Sequence, residues 1–393
     1  MTERLYYTDA ALRAFDATVV ACDEVDGRAH VVLDRTTFYP TSGGQPFDTG
    51  RLGAADVIEV VDREDGEVVH VTNVPVVVGE RVRGEIDWPR RLDHMQQHTG
   101  QHILSAAFDR LFGVQTVSFH MGAAESTIDL AREVTADETV AAEAESNLVV
   151  WDDRPVTVRF VAAEEAARLP LRKPPARAGT LRLVEVPDFD LSACGGTHVP
   201  RTGVVGLIAV SGQERFKGGS RITFVCGGRA LQSHRALRDV VADATRAISV
   251  TPPELGAAIR RLQQETKDRD RERRGLLEAL AGYRAIEARA AAERVGDHRV
   301  VFVVEPGWDA AALKTLASRV TAEPGYIAVV AASGSPLPIV VARSADESID
   351  AAAIVRDLTT RFAGRGGGRP DLAQAGVQAT AVEIFDTIRR ALS

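Results

Sequence analysis

The sequence predicts a multidomain α+β protein: a small β-barrel over residues 1–90, an α+β domain over 91–229, a helical stalk over 230–296 and an α/β domain over 297–393. Three observations predict it. The first ninety residues alternate in short apolar runs separated by turn residues. The middle of the chain carries two pairs of metal-donor side chains, one of them inside a helical pattern. A long charge-rich helical run then gives way to buried-strand runs that alternate with helices.

In the first region Ala17–Asp23 and Ala29–Asp34 alternate around the turn Val25-Asp26-Gly27-Arg28, and further strands are expected at Ala55–Val61, Glu67–Thr72 and Arg81–Ile86. Turns at Asp65-Gly66 and Val78-Gly79 separate them, the pattern of a small barrel or sandwich. The loop Pro40–Pro46 is its oddity, because Gly43 and Gly44 suit either a plain surface turn or a close approach of backbone to ligand.

Asp87 caps a helix that tolerates Pro89 in its first turn, and Gly113 stops it. Along that helix Ile103, Leu104, Ala107, Phe108, Leu111 and Phe112 fall on one side. Thr116–Met121 and Ser126–Leu130 read as a hairpin, and Thr135 with Glu138 as a capping box before a helix to about Val149. Strands are expected at Val156–Val161, Leu181–Val186, Val204–Ile208 and Ser220–Val225, with a short helix at Glu164–Leu169 and a Pro-rich loop of three positive charges at Leu171–Arg177.

Ala230–Val295 reads as helical. From Leu255 the positions Ile259, Leu262, Thr266, Arg269, Arg273, Leu276, Leu280 and Tyr283 step by four and three, a seam weakened by charge in its middle. The seam fits either a helical hairpin packed in cis or a coil between two copies, a homodimer through the stalk. Beyond it, strands Arg299–Val304, Tyr326–Ala331 and Pro338–Ala342 alternate with helices Ala310–Val320, Ala351–Phe362 and Gln378–Leu392. The run from Arg365 to Asp371 is either a linker or a fixed loop whose glycine amides form an anion nest between Arg365 and Arg369.

Composition bounds the function class. Of the 393 residues 45% are hydrophobic and 26% charged, ordinary for a soluble globular protein. No apolar run is long enough to span a bilayer, and the start lacks the apolar core of a signal peptide. Cys22, Cys194 and Cys226 make no disulfide framework, so a reducing cytoplasm and no membrane partner are expected. The net charge of −8 does not advertise a nucleic-acid binder, although a local basic face still holds RNA.

The chemistry concentrates in His98-Thr99-Gly100-Gln101-His102 and Cys194-Gly195-Gly196-Thr197-His198. Residues four apart on a helix stack on one face, so two imidazoles there can aim at one ion. Gly195-Gly196 forces a turn, from which a thiolate and an imidazole can converge. One Cys with three His suits Zn2+ better than Mg2+ or Ca2+. His94 competes, because it lies one turn before His98; spacing leaves the pairs 94/98 and 98/102 both open.

These two motifs resemble the zinc motif pair of the alanyl-tRNA editing domain, found in alanyl-tRNA synthetase and in the free-standing AlaX proteins. Leu33–Gln45 upstream, Lys217–Arg229 downstream and Gly366–Gly376 near the end are similar to that family in the same order. The aminoacylation domain has no counterpart, so the layout is nearest to the long form of AlaX. The resemblance implies a zinc-containing editing domain at 91–229 and a C-terminal domain like that of the synthetase at 297–393. It implies Zn2+ held by His98, His102, Cys194 and His198, with His94 excluded. The implied reaction is deacylation of tRNA(Ala) mischarged with serine or glycine.

Gly43, Gly44 and Gln45 then belong to the amino-acid pocket, and Lys217 and Arg221, beside Arg215, to tRNA phosphate contact. Thr116, Ser118 and His120 follow the helix and are expected to alternate into the pocket as catalytic candidates. His120 lies near a pocket Gln of the synthetase and reads equally as a general base or as a strand histidine bonded to backbone. Four protein ligands fill a tetrahedral site, which favours a zinc that positions substrate and water. Two rivals stand beside this reading: a tRNA-binding zinc protein without hydrolysis, and an editor of Ser-tRNA(Thr). The module at 297–393 carries no cluster of catalytic side chains and is expected to hold tRNA at a distant point or a second subunit.

Overall fold

The computed structural model describes residues 1–63, 65–173 and 179–393. Of the basic loop expected at 171–177, residues 174–177 lie outside the described residues. The chain divides into two compact units, Met1–Asp243 and Ala244–Ser393. Eight α-helices and a closed six-stranded barrel are present among the described residues.

The barrel runs Ala14–Val25, Arg28–Leu33, Val68–Thr72, Ala55–Asp62, Gly50–Leu52 and Arg81–Ile86, each strand antiparallel to its neighbour. Asp26 and Gly27 both take positive φ, 51° and 74°, which is the backbone a two-residue hairpin turn with right-handed twist requires. Inward positions Phe15, Val19, Val31, Leu33, Val57, Val60 and Val68 fill the interior. The loop between the second and third sequential strands leaves the barrel and is tied to the next helix by a buried ion pair: Arg91 Nε donates to both Asp48 carboxylate oxygens at 3.0 and 3.1 Å. Asp48 also accepts the Tyr39 amide at 2.7 Å. Neither residue is exposed at all, so the pair fixes the glycine loop against the helix.

That helix spans Trp88–Phe112; Asp87 accepts the Arg90 amide at its start, and Gly113 closes it at φ 64°. Its apolar face packs on a four-stranded antiparallel sheet formed by Ile208–Phe216, Gly219–Cys226, Ser126–Leu130 and Thr116–Met121. Leu111, expected on that face, is 44% exposed, whereas the next residue, Phe112, packs partly against the core. The helix Ala136–Trp151 opens with the expected capping box. A second sheet pairs Thr157–Ala162, Thr180–Val186 and Asp190–Ala193. The strand expected at Val204–Ile208 is instead a 3-10 turn, Thr202–Val205, followed by a strand that begins at Ile208. Gly206 at φ 81° breaks the extended run, and the turn buries Val205.

The helical region is interrupted. Gly227–Ile248 ends at Ser249, φ 55°, and Pro252-Pro253 starts a new turn that the Thr251–Glu254 capping box closes. Leu255–Ala290 follows as one 36-residue helix, and Glu293–Val295, expected to be helical, is an edge strand. Of the expected seam, Ile259, Leu262, Leu276, Leu280 and Tyr283 are exposed, while Ala281, Ala285 and Ala288 bury the opposite side against Leu313, Leu316 and Val320.

In the second unit a six-stranded mixed sheet has the order Glu293–Val295, His298–Val304, Tyr326–Ala331, Leu337–Arg343, Leu372–Val377, Arg365–Arg369. The glycine run is therefore neither linker nor nest but an edge strand, paired antiparallel with Leu372–Val377. The physical reason is close approach: a Cβ on Gly366 or Gly368 would stand 2.3 or 2.4 Å from atoms of the neighbouring strand.

Candidate metal centre

His98, His102, Cys194 and His198 converge so that their donor atoms all lie within 4.8 Å of one another. Cys194 Sγ is 3.4 Å from His98 Nε2 and 3.3 Å from His198 Nε2. A tetrahedral zinc with bonds of about 2.0–2.3 Å separates its ligands by about 3.3–3.8 Å, the spacing of Cys194 Sγ from His98 and His198 Nε2. His94 is buried one turn away and does not join the group. Burial, followed by the nearby Arg90 charge, pulls its pKa down to about 4.

Each imidazole is oriented by a partner on its other nitrogen. His98 Nδ1 donates to Gln45 Oε1 at 2.8 Å, and His102 Nδ1 to Asp190 Oδ2 at 2.9 Å. His198 Nδ1 lies 3.2 Å from Thr99 Oγ1, which also accepts the Val199 amide at 3.1 Å. All three Nε2 atoms are thereby turned towards the thiol, the arrangement that raises ligand basicity and fixes the tautomer. The Cys194 loop is held from behind by Arg182, whose Nη1 donates to the carbonyls of Cys194 and Gly196 at 2.7 and 2.9 Å. Burial pushes the Cys194 thiol up, but the imidazoles of His98, His198 and His102 together outweigh it and hold it well below the ordinary thiol range.

Two glycines of the motifs are steric requirements. A Cβ on Gly196 would stand 2.1 Å from His98 Cε1, and one on Gly100 would stand 2.3 Å from Cys226 Sγ. Gly195 has open space by comparison, its nearest neighbour being Tyr7 Oη at 3.9 Å.

A cavity of about 360 Å³ opens beside the donors, with Tyr39, Gly43, Gln101, Thr116, Phe119 and Arg172 among its walls. The glycine loop forms one wall. Gly44 at φ 84° brings its backbone against Phe119, 3.0 Å from where a Cβ would be, and its carbonyl accepts the Met121 amide at 3.3 Å. Gln45, expected in the pocket, is instead fully buried behind His98. Its Nε2 donates to Thr197 Oγ1 at 2.8 Å, and its Oε1 also accepts the Thr197 amide at 3.1 Å.

The expectation that Thr116, Ser118 and His120 share one face fails for a local reason. Asp129 pairs with Ser118 but Leu130 pairs with Thr116, so Val117 is an extra residue that breaks the alternation. Thr116 is buried at the cavity and donates to Ser105 Oγ at 2.7 Å; Gln101 Nε2 donates to the same oxygen at 2.8 Å. Ser118 touches the cavity, but its hydroxyl donates outward to Asp129 at 2.6 Å. His120 is exposed and is not among the cavity-lining residues.

Lys217 occupies a tight hairpin turn at φ 48° and is exposed. Arg221 is spent on Asp129 at 2.7 Å and stacks 3.5 Å from the Phe216 ring centroid; Arg215 pairs with Glu133 at 3.0 Å. Sequence reasoning missed Asp190, Thr99, Arg182 and the Asp48–Arg91 pair. Only Asp190 offered a signal, a carboxylate four residues before a ligand cysteine.

Known families match in the same order. The description "tRNA synthetases class II (A)" matches residues 3–90, "Threonyl and Alanyl tRNA synthetase second additional domain" matches 181–223, and "DHHA1 domain" matches 296–393. The chain is 32% identical over 413 residues to the alanine–tRNA ligase of Pyrococcus abyssi and 35% identical over 391 residues to that of Halorubrum lacusprofundi. It spans only 44% and 42% of those ligases. The alanyl-tRNA editing protein AlaX-L of Pyrococcus horikoshii is 30% identical over 401 residues, 98% of this chain and 97% of that protein. Similarity along nearly the full length of both chains places this protein in the alanyl-tRNA editing family, with AlaX-L.

Proposed function

We propose that the protein hydrolyses tRNA(Ala) mischarged with serine at the four-donor centre, with Zn2+ bound by His98, His102, Cys194 and His198; glycine, which lacks the hydroxyl, is a second substrate only if the site admits it by size. The observation that carries this reading is a cavity of aminoacyl size lined by three of those donors, His98, His102 and Cys194, in a chain of the alanyl-tRNA editing family. When bound, zinc polarises an ester carbonyl or lowers the pKa of a water to about 7. The chain's own residues do the rest. Tyr39 and Phe119 exclude water, and the glycine loop lets the substrate backbone approach closely. Thr116 and Gln101, braced through Ser105, keep acceptor oxygens for a serine hydroxyl, a contact that alanine does not make. A site that reads a hydroxyl discriminates far better than one that must refuse a small group.

Two other readings have specific support. Four protein donors complete a tetrahedron, which suits a tRNA-binding protein with structural zinc. The family description at 181–223 covers threonyl as well as alanyl synthetases, which suits Ser-tRNA(Thr). Purified protein on a panel of Ser-, Gly- and Ala-tRNA(Ala) and Ser-tRNA(Thr) separates the three. Metal-dependent loss of Ser-tRNA(Ala) with Ala-tRNA(Ala) spared supports the proposal; no turnover of any member refutes it.

In this reading residues 1–90 and 91–229 make the editing body, 230–296 the stalk and 297–393 a module that holds tRNA or a second copy. The exposed seam along Leu255–Ala290 supports a homodimer through the stalk, which sedimentation analysis tests. No helix among the described residues is long and apolar enough to cross a membrane; the cytoplasm as the place of work follows from the proposed tRNA substrate.

A further inference from the structure

Two cations line the cavity beside the donors without a part in the reading above, Arg172 and Lys173. Among the described residues no carboxylate lines that cavity. Arg172 is set in place rather than loose: its amide donates to the Leu191 carbonyl at 3.0 Å, its Nε to Asp190 Oδ1 at 2.8 Å and its Nη2 to Ser192 Oγ at 3.1 Å. Its side chain is 11% exposed. These bonds use one edge of the guanidinium, which has five donors in a rigid fork suited to phosphate. Asp190, its carboxylate partner, lies behind the cavity wall and is already shared with His102 and Ser192. Lys173 is an exposed residue that lines the same cavity and has no ion-pair partner among the described residues. Two adjacent cations facing one space repel each other, and an anion between them relieves that cost.

We propose that Arg172 and Lys173 form a receptor for the phosphate on the 5′ side of the substrate's terminal nucleoside. The proposal rests on the editing reading of the cavity and names how that site grips the RNA end. The scissile ester sits on the terminal ribose, and the same ribose carries the chain's last phosphate on its 5′ oxygen. A substrate held at both points is fixed across a single nucleoside, so its ester is oriented before any contact farther along the tRNA is made. The cavity volume, at the small end of the range for ligand pockets, suits an aminoacyl group with its ribose. A purely supporting role for Arg172, bracing Asp190 behind His102, accounts for Arg172 alone; it does not account for Lys173 on the same wall.

The test uses the full zinc-loaded chain and a hydrolysis-resistant probe, 3′-(L-seryl)amino-3′-deoxyadenosine, with and without a 5′-phosphate. Titration calorimetry on the wild type is expected to give about 10- to 100-fold tighter binding of the phosphorylated probe, weakening as salt rises. Lys173→Gln is expected to lose part of that ratio, and Arg172→Gln with Lys173→Gln to bring it near one. Zinc content reports whether the Asp190–His102 arm survives; where Arg172→Gln loses metal, Lys173→Gln decides alone. Equal binding of the two probes by the wild type overturns the receptor, as does a ratio that neither substitution moves. If the phosphate preference holds while Ser-tRNA(Ala) is not deacylated, the hydrolytic reading fails and the receptor stands.

Discussion

Gln45 Oε1 accepts the Nδ1 proton of His98 at 2.8 Å, joining the barrel's glycine loop to the helix that carries the donor pair. The amide cannot be turned round, because Thr197 supplies a backbone donor to Oε1 and a hydroxyl acceptor to Nε2. His98 is therefore held with Nε2 towards Cys194. Replacing Gln45 with Leu is expected to weaken zinc binding by about 10- to 100-fold with the fold retained, measured by chelator competition and circular dichroism. Undiminished zinc affinity contradicts the role.

Gly196 and Gly195 make a matched pair of tests. Gly196→Ala drives a methyl into the His98 ring and is expected to lose zinc and deacylation together. Gly195→Ala meets nothing closer than 3.9 Å and is expected to keep both. Equal behaviour of the two variants in metal analysis goes against the steric argument.

Cys194→Ala removes the thiolate and is expected to leave the purified protein with little zinc. His94→Ala is expected to retain it, because the His94 ring lies outside the donor group and its Nδ1 is buried without a partner. Zinc lost with His94 and kept without Cys194 reverses the assignment.

His70 sits in the barrel, its Nδ1 donating to the Val31 carbonyl at 3.1 Å and its Nε2 accepting from Thr36 at 2.7 Å. Burial lowers its pKa to about 4, against the Val31 bond that raises it. Between about pH 6.5 and 4 the unfolded chain binds this proton and the folded one does not, so stability rises with pH across that window. The contribution is complete above about pH 6.5 and is lost as pH falls to about 4, roughly 3 kcal/mol in all. An NMR titration is expected to show His70 neutral at pH 5; a midpoint near 6.5 removes the effect.

Local chemistry made much of the fold legible. The Asp87 cap, Pro89 and Gly113 set the ends of the donor helix, because those signals act within one turn of the chain. The Val25–Arg28 turn and the Thr135–Glu138 capping box act over equally short range, and both form. The glycine run at Arg365–Arg369 was opaque, because a strand made of glycine has no side-chain alternation to read; what selects it is the neighbouring Ala373 and Ala375 backbone.

By itself the sequence determined which side chains are able to bind a soft divalent ion and which element carries each pair: two imidazoles four apart on a helix, and a thiol and an imidazole on a glycine turn. Those are consequences of helical period and glycine backbone freedom. Spacing left His94 open and the family resemblance excluded it, as the donor cluster bears out; tertiary structure alone decided that Gln45 and Asp190 orient the ligands, and that the bulge at Val117 sends Thr116 to the cavity while His120 faces solvent. The reason is distance along the chain. Gln45 meets His98 across 53 residues and Asp190 meets His102 across 88, contacts that no local period encodes and that only packing of barrel, helix and loop brings within hydrogen-bond reach.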